Sequence, residues 1–317
     1  MKEIIMNKAL VLLNMGGARN KEELELFLRN MFNDKHILTV KSDLLRSMIA
    51  SIIVYMRKDS AWENYELIGG KSPINELTDQ LVAKLQDKLP EVFVTQAMRY
   101  TPPFASQCIK QLEEKNIKDI ILLPLYPQYS TTTTQSSLLE FIDEANEQFN
   151  MIAVEPFYKN NDFNEMVINE ILSKVFRSKY SEYDLIFSAH GLPQKIVDAG
   201  DTYQEEVEEH VKILTNKLVD YGIEFNSVNL AYQSKVGPMK WIDPSLDESL
   251  KDFKDKKVII YPISFIIDNS ETFFELDIEY REIAQELGIK EYQVCKCPND
   301  SDIFVDVVLK LIDNIKK

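Results

Sequence analysis

Glu271, Glu275 and Glu279 stand four residues apart, and on a helix that spacing sets three carboxylates in one line. A row of oxygen donors suits the delivery of a divalent cation, although a solvated helix face has the same pattern. Phe273, Phe274, Leu276 and Ile278 interleave the line, so a carboxylate buried among them would need a cation or a raised pKa. His190 is one of three histidines, with His36 and His210. A neutral imidazole accepts a proton near pH 7 or ligates a metal, and Gly191 beside it permits close approach of a ligand to the backbone. In a purely structural role the same histidine would be a hydrogen-bonded turn residue.

These residues need elements to place them. Apolar runs at Ala9–Leu13, Val92–Ala97, Ile120–Leu125, Ile152–Val154, Leu185–Ser188, Val228–Tyr232, Val258–Ile263 and Tyr292–Val294 read as parallel strands buried on both faces. Helical patterns fill the gaps. Leu24, Phe27, Leu28 and Met31 recur at helical spacing behind an Asn20 cap with Glu23 three residues on. Ser72 and Pro73 read as a cap and first helical position before Leu77, Leu81 and Leu85. Such alternation predicts an α/β fold, and eight strands divide naturally into two doubly wound, Rossmann-like domains with four parallel strands each. The polar stretch around Glu155–Asn164 marks the join, giving domains 1–155 and 156–317. Ligands in such folds bind beyond the carboxyl ends of the strands. His190 and the segment that leads to Glu271 lie there, as do Asn14-Met15, Arg99-Tyr100 and Tyr232-Gln233-Ser234.

Several functions are disfavoured. Of 317 residues, 36 are Lys or Arg and 51 Asp or Glu, a net charge of −15, which repels nucleic-acid backbones. Cys108, Cys295 and Cys297 are too few for a disulfide framework and fit a reducing compartment. Cys295-Lys296-Cys297 has no second pair to complete a zinc or iron–sulfur site. The first residues show no secretory h-region, and no apolar run reaches membrane-span length. Gly70-Lys71-Ser72 looks like the tail of a P-loop, but the required earlier glycine is Tyr65 and Pro73 follows directly.

The stretch Leu44, Leu45, Met48, Ile49, Ile52, Ile53 and Met56, flanked by Arg46, Arg57 and Lys58, forms a helix apolar on more than one face. Core burial is the plain expectation. The alternative is an exposed apolar lip for a flat greasy ligand or a membrane surface.

Eight strings, in order, resemble the ferrochelatase family, which inserts ferrous iron into a porphyrin. They are LLNMGG at 12–17, IGGKSPI at 68–74, MRYTPP at 98–103, LPLYPQYSTTTTQSS at 123–137, SAHGLP at 188–193, GDTY at 200–203, YQSKVGP at 232–238 and DNSETFFELDIEY at 268–280. The resemblance implies two Rossmann-like domains facing a central cleft, the second carrying the His and Glu site, with the C-terminal helix able to pack back on the first. It implies insertion of Fe²⁺ into protoporphyrin IX, with two protons released, as the last step of haem biosynthesis. By resemblance His190 faces the pyrrole nitrogens, and Glu271 faces it across the cleft as the second catalytic and metal-binding group. Asp268, Glu275 and Glu279 extend a metal or proton path. Arg57, Tyr65 and Ser72 match the residues that hold the propionates, an arginine suiting a carboxylate because its fork binds bidentately. Met15, Arg99 and Tyr100 match residues lining the ring. Their plain readings are core packing for Met15 and Tyr100, and a structural ion pair for Arg99. No resident cofactor or iron–sulfur cluster is expected; Fe²⁺ and porphyrin are the substrates. The expected location is cytoplasmic, with at most loose peripheral membrane contact, because the acidic chain disfavours anionic lipid.

The chain departs from the family pattern at Asn269, where a histidine is usual, and at Lys71 and Gln135, where glycine is usual. The four-cysteine motif of animal members is absent. Asn269 cannot titrate near neutral pH, which puts more weight on His190 and Glu271. The rival readings are a non-catalytic tetrapyrrole or haem binder, and a chelatase for another metal or for coproporphyrin III.

Overall fold

The computed structural model describes residues 7–315 apart from Val236 and Pro238. Residues 1–6, 316 and 317 and those two positions of YQSKVGP lie outside the described residues. In chain order the elements begin β1 (Lys8–Asn14), α1 (Lys21–Asn33), α2 (Asp43–Leu67), α3 (Ile74–Lys88), β2 (Phe93–Met98), α4 (Ala105–Glu114) and β3 (Asp119–Pro124). A π-helical turn, Thr131–Gln135, leads into α5 (Ser136–Ala145), followed by β4 (Asn150–Ala153), α6 (Asn161–Ser173) and β5 (Tyr183–His190). Then come α7 (Gln194–Asp198), α8 (Tyr203–Asp220), β6 (Ser227–Gln233), α9 (Leu246–Ser249) and β7 (Lys257–Pro262). A second π-helical stretch, Glu271–Glu279, runs into α10 (Tyr280–Glu286), β8 (Glu291–Val294) and α11 (Asp302–Ile315).

There are two compact units. The first contains the residues up to Tyr126, Ser130–Glu155 and the chain from Asp300 on; the second contains Pro127–Tyr129 and Pro156–Asn299. Each holds one parallel four-stranded sheet, ordered β2-β1-β3-β4 in the first and β6-β5-β7-β8 in the second. All eight predicted strands are present, shifted by a residue or two at their ends. The strands form where expected because their side chains are buried on both faces: Ala9 to Leu13 and Leu185 to Phe187 are essentially inaccessible. In each sheet the winding direction reverses between the first strand and the third. That switch point is where a doubly wound sheet opens a crevice.

In the first unit, Val11, Leu13, Leu112, Ile120, Leu122 and Phe141 form the centre of the core. Asn20 caps α1, its Oδ1 accepting from the Glu23 N–H at 2.8 Å, while the Glu23 carboxylate takes the Arg19 N–H. In this unit α11 packs on α3, and Lys84 of α3 pairs with Asp300 and Asp302. Two expectations change. Ser72 is not a cap: α3 begins at Ile74 behind Pro73 without a side-chain cap, and Ser72 Oγ is buried without a partner. The space there is consumed by Gly17, where a β-carbon would stand 2.6 Å from Ser72. Helix α2 is not a core helix. It rests on α1, buries only Ala50, Val54 and Tyr65, and leaves Leu44, Leu45, Met48, Ile52 and Met56 exposed.

In the second unit, Ile186, Ala231, Val258, Ile260, Leu276 and Tyr280 meet in one core. His210 of α8 is buried; Gln128 Nε2 donates to its Nδ1 and its Nε2 donates to Asn164 Oδ1, each at 2.8 Å. Burial pushes its pKa down to about 3. It is therefore a neutral strut that ties Pro127–Tyr129 to this unit, not a candidate base.

Candidate active site

His190 is the last residue of β5, and Glu271 opens the π-helical stretch that follows β7. The two strands are sheet neighbours, so both side chains rise from the switch point of one sheet. The histidine and glutamate thus both belong to the second unit. His190 Nε2 lies 3.6 Å from Glu271 Oε1, with the two side chains 35% and 25% exposed: accessible to a substrate, but not freely solvated. The His190 N–H donates to Ser264 Oγ at 2.9 Å. Its Nδ1 stands 2.6 Å from the Gly191 carbonyl oxygen. A carbonyl only accepts, so Nδ1 carries the proton and Nε2 is the nitrogen that titrates, facing Glu271.

Burial opposes charge on this imidazole. The nearby charge of Glu271 outweighs it together with the Glu275 charge and the Gly191 carbonyl, and the His190 pKa rises to about 9. At neutral pH the imidazole rests protonated beside Glu271. Glu271 Oε2 is buried with no partner, an arrangement that a cation would satisfy.

Glu275 is the next member of the line. It accepts from the Ser234 N–H at 2.6 Å, from Ser234 Oγ at 2.5 Å and from Gln233 Nε2 at 3.2 Å. Burial, with the Glu271 charge adding, raises its pKa to about 7 against those hydrogen bonds and the charge of His190. Glu279 is also raised, by burial and Glu282. The helix here is π-helical, not the α-helix that the spacing predicts. Its i→i+5 bonding widens the turn beyond four residues, so carboxylates four apart stack in a straighter line than on an α-helix.

Asp268 does not join this line. Asn299 Nδ2 donates to its Oδ2 at 2.7 Å and the Cys297 N–H approaches its Oδ1 at 3.3 Å, so it anchors the chain after β8. Asn269 has a definite use. Its Oδ1 accepts from the N–H of Glu271 at 2.7 Å and of Thr272 at 3.3 Å, capping the π-helical stretch at the residue that matters. Gln233, Ser234 and Ser264 had no assigned role in the sequence. Gln233 and Ser234 stand in the YQSKVGP string and at the carboxyl end of β6, and Ser264 was marked only by its position after β7.

The six residues associated with the porphyrin all fall in the first unit. Arg57 on α2 is exposed and forms no ion pair with any described residue. Tyr65 is buried and stacks on Trp62 at 6.4 Å. Ser72 is buried beside Gly17. Met15 packs with Tyr65 and Tyr100, and its carbonyl takes the Tyr100 N–H at 3.0 Å. Arg99 donates to Ser136 Oγ at 2.8 Å, Glu140 Oε1 at 3.0 Å and Asp34 Oδ2 at 2.9 Å. The ion-pair reading of Arg99 thus describes its resting contacts. Among the described residues, no group of three or more His, Cys, Asp or Glu is arranged to hold a metal ion.

The ferrochelatase family model matches residues 7–315. The chain belongs to the ferrochelatase family. It is 54% identical to the ferrochelatase of Nitratiruptor over 309 residues, covering 96% of this chain and 98% of that one. It is 51% identical to the ferrochelatase of Sulfurimonas denitrificans, with the same coverage, and 44% identical to that of Helicobacter pylori, covering 98% and 93%. Among solved structures, SirB from Bacillus subtilis with Fe³⁺ superposes with a TM-score of 0.59 at 11% identity, covering 98% of each chain. CbiX, described as the terminal enzyme of sirohaem biosynthesis in denitrifying bacteria, gives 0.55 at 9%, covering 96% and 98%. At those identities they speak for the fold alone: two parallel four-stranded sheets, as in chelatases.

Proposed function

We propose that this ferrochelatase inserts Fe²⁺ into protoporphyrin IX with His190 as the base for a pyrrole proton and Glu271 as the carboxylate that receives the iron. The observation that carries this reading is the 3.6 Å approach of His190 Nε2 to Glu271 Oε1, with the second glutamate oxygen buried and unpartnered.

Metallation must strip water from the ion, remove two pyrrole protons and bend the ring so that its nitrogens reach the metal. In the resting pair Nε2 is protonated because Glu271 holds its pKa up. A ferrous ion arriving at Glu271 offsets that negative charge, so burial then favours the neutral imidazole. His190 can release its proton toward the acidic line and take one from a pyrrole nitrogen. Glu275, near pKa 7, exchanges protons at working pH, and Glu279 continues the line outward. Iron stays ferrous throughout; two N–H bonds break, four N–Fe contacts form and two protons leave. A single carboxylate holds the ion loosely enough to surrender it to four ring nitrogens.

Arg57, Tyr65 and Ser72 would hold the propionates, and Met15, Arg99 and Tyr100 would border the ring. The exposed apolar face of α2 supports a loose peripheral membrane contact for a cytoplasmic protein. No described helix is long and apolar enough to cross a membrane.

The test is anaerobic metallation followed by visible absorbance, with Fe²⁺ or Co²⁺ offered to protoporphyrin or coproporphyrin. Wild-type protein should form protohaem, and His190→Ala should bind porphyrin yet fail to metallate it. Unchanged turnover in His190→Ala would refute the assigned role. Binding without turnover in wild-type protein would indicate a tetrapyrrole carrier.

A further inference from the structure

Arg99 and Tyr100 are consecutive residues just past the end of β2, and along a strand consecutive side chains point to opposite faces. Here their tips converge. Asp34 Oδ2 accepts from Arg99 Nη2 at 2.9 Å and from the Tyr100 hydroxyl at 3.0 Å. The same oxygen accepts from the Ser136 hydroxyl, and Asp34 Oδ1 takes the His36 N–H at 2.8 Å. The strand has ended at Met98 and the backbone has turned, with the Arg99 and Tyr100 N–H groups bound to the Asn14 and Met15 carbonyls. The guanidinium lies over the Tyr100 ring, 5.2 Å from its centroid.

Burial separates the two charged partners. The Asp34 side chain is 0% exposed and that of Arg99 is 19%. Asp34 cannot touch a ligand; Arg99 can. A carboxylate stripped of water persists only when its charge is matched and its lone pairs are used, and the guanidinium with two hydroxyls does both. In return the carboxylate fixes those donors. Arg99 would otherwise be drawn toward Glu140, its partner on the half-buried side, and the Tyr100 hydroxyl would have no acceptor in its buried setting.

We propose that Asp34 is a positioning residue for the porphyrin: it acts through Arg99, the exposed member of the cluster, with the buried Tyr100 (3% exposed) bracing the guanidinium from behind. This rests on the reading that Arg99 and Tyr100 border the ring. Asp34 comes from the end of α1, 65 positions before Arg99, and no chemical signature in the sequence marks it.

The experiment measures anaerobic metallation kinetics, porphyrin affinity by fluorescence quenching, and thermal midpoint, for Asp34→Asn, Arg99→Met and the double variant. Asp34→Asn should raise the porphyrin KM at least fivefold and leave the iron KM within twofold, a split that general loosening of the fold would not produce. The double variant should be no worse for porphyrin than Arg99→Met alone, because both changes act through one guanidinium. If Arg99→Met weakens porphyrin binding but Asp34→Asn does not, or if the two losses multiply, the positioning role is overturned while the ring wall stands. If neither Arg99→Met nor Tyr100→Phe alters porphyrin affinity, the ring-wall reading itself fails and takes the proposal with it. Should Asp34→Asn not purify folded, Ser136→Ala, which removes the hydroxyl shared by Asp34 and Arg99, must give the same split. Porphyrin and iron KM rising together in that variant would overturn the proposal.

Discussion

The N–H of Gly191 donates to the carbonyl oxygen of Gln233 at 2.8 Å, and a β-carbon on residue 191 would stand 2.8 Å from that same oxygen and 3.3 Å from the Trp241 ring. Glycine is needed here for space, since it lets β5 and β6 stay paired to their last residues with His190 opposite Gln233.

Gly191→Ala should therefore destabilise the second unit by about 1–3 kcal/mol, the usual cost of forcing one extra carbon into packed structure. The displaced strand end carries His190, so metallation should fall by more than the loss of folded protein explains. Chemical denaturation and turnover per folded molecule check this; full activity would show that His190 does not depend on the close approach.

Glu271→Gln should lower the His190 pKa from about 9. The neutral amide removes the charge that favours imidazolium, and burial, which disfavours it, remains. The sign for stability follows. In wild-type protein the stabilising contribution of the raised pKa is complete below the unfolded value of about 6.5 and is lost as pH rises through about 9. NMR titration of the imidazole carbons reads the pKa; an unshifted value in the variant would break the proposed coupling.

Asn269→Ala should cost about 1 kcal/mol, the usual loss for a helix cap, and should impair iron use because the cap bonds Glu271 directly. Asn269→Asp, which keeps an acceptor at the same place, should restore most of both. Equal damage from the two substitutions, in iron KM and in thermal midpoint, would argue that capping is not what Asn269 supplies.

Arg57→Leu should raise the porphyrin KM roughly 10- to 100-fold, the equivalent of one charged hydrogen bond of about 1.5–3 kcal/mol, with little effect on the iron KM. An unaltered porphyrin affinity, measured by fluorescence quenching, would remove Arg57 from the propionate site.

His210 makes stability fall in acid. Its folded pKa is near 3, so below the unfolded value of about 6.5 the unfolded chain binds the extra proton. Between pH 7 and 4.5 this amounts to about 2–3 kcal/mol for one fully buried imidazole. Urea unfolding of wild type and His210→Gln at both pH values should show the larger acid loss in wild type; parallel losses would contradict the buried neutral state.

Strand positions and the Asn20 cap were legible in the chain because each rests on local pattern. Runs such as Leu10 to Leu13 have too many buried faces to be anything but inner strands, whereas the roles expected of His190 and Glu271 came from the family resemblance. The family strings add order to that pattern. What the pattern could not carry was partnership. Asp268 and Glu275 look alike in the sequence, yet Asn299 and Cys297 draw one into the structure while Gln233 and Ser234 hold the other beside Glu271.

Exposure of the apolar face of α2 was equally beyond reach, because a greasy helix has the same sequence whether a core or a ligand covers it. So was the π-helical backbone beneath Glu271, Glu275 and Glu279, since four-residue spacing suits an α-helix and a π-helix alike. Asp34 reaches Arg99 across 65 residues of chain. Local propensity and periodicity act over a few residues; charge, burial and hydrogen bonding choose their partners only after the sheets have brought distant segments together.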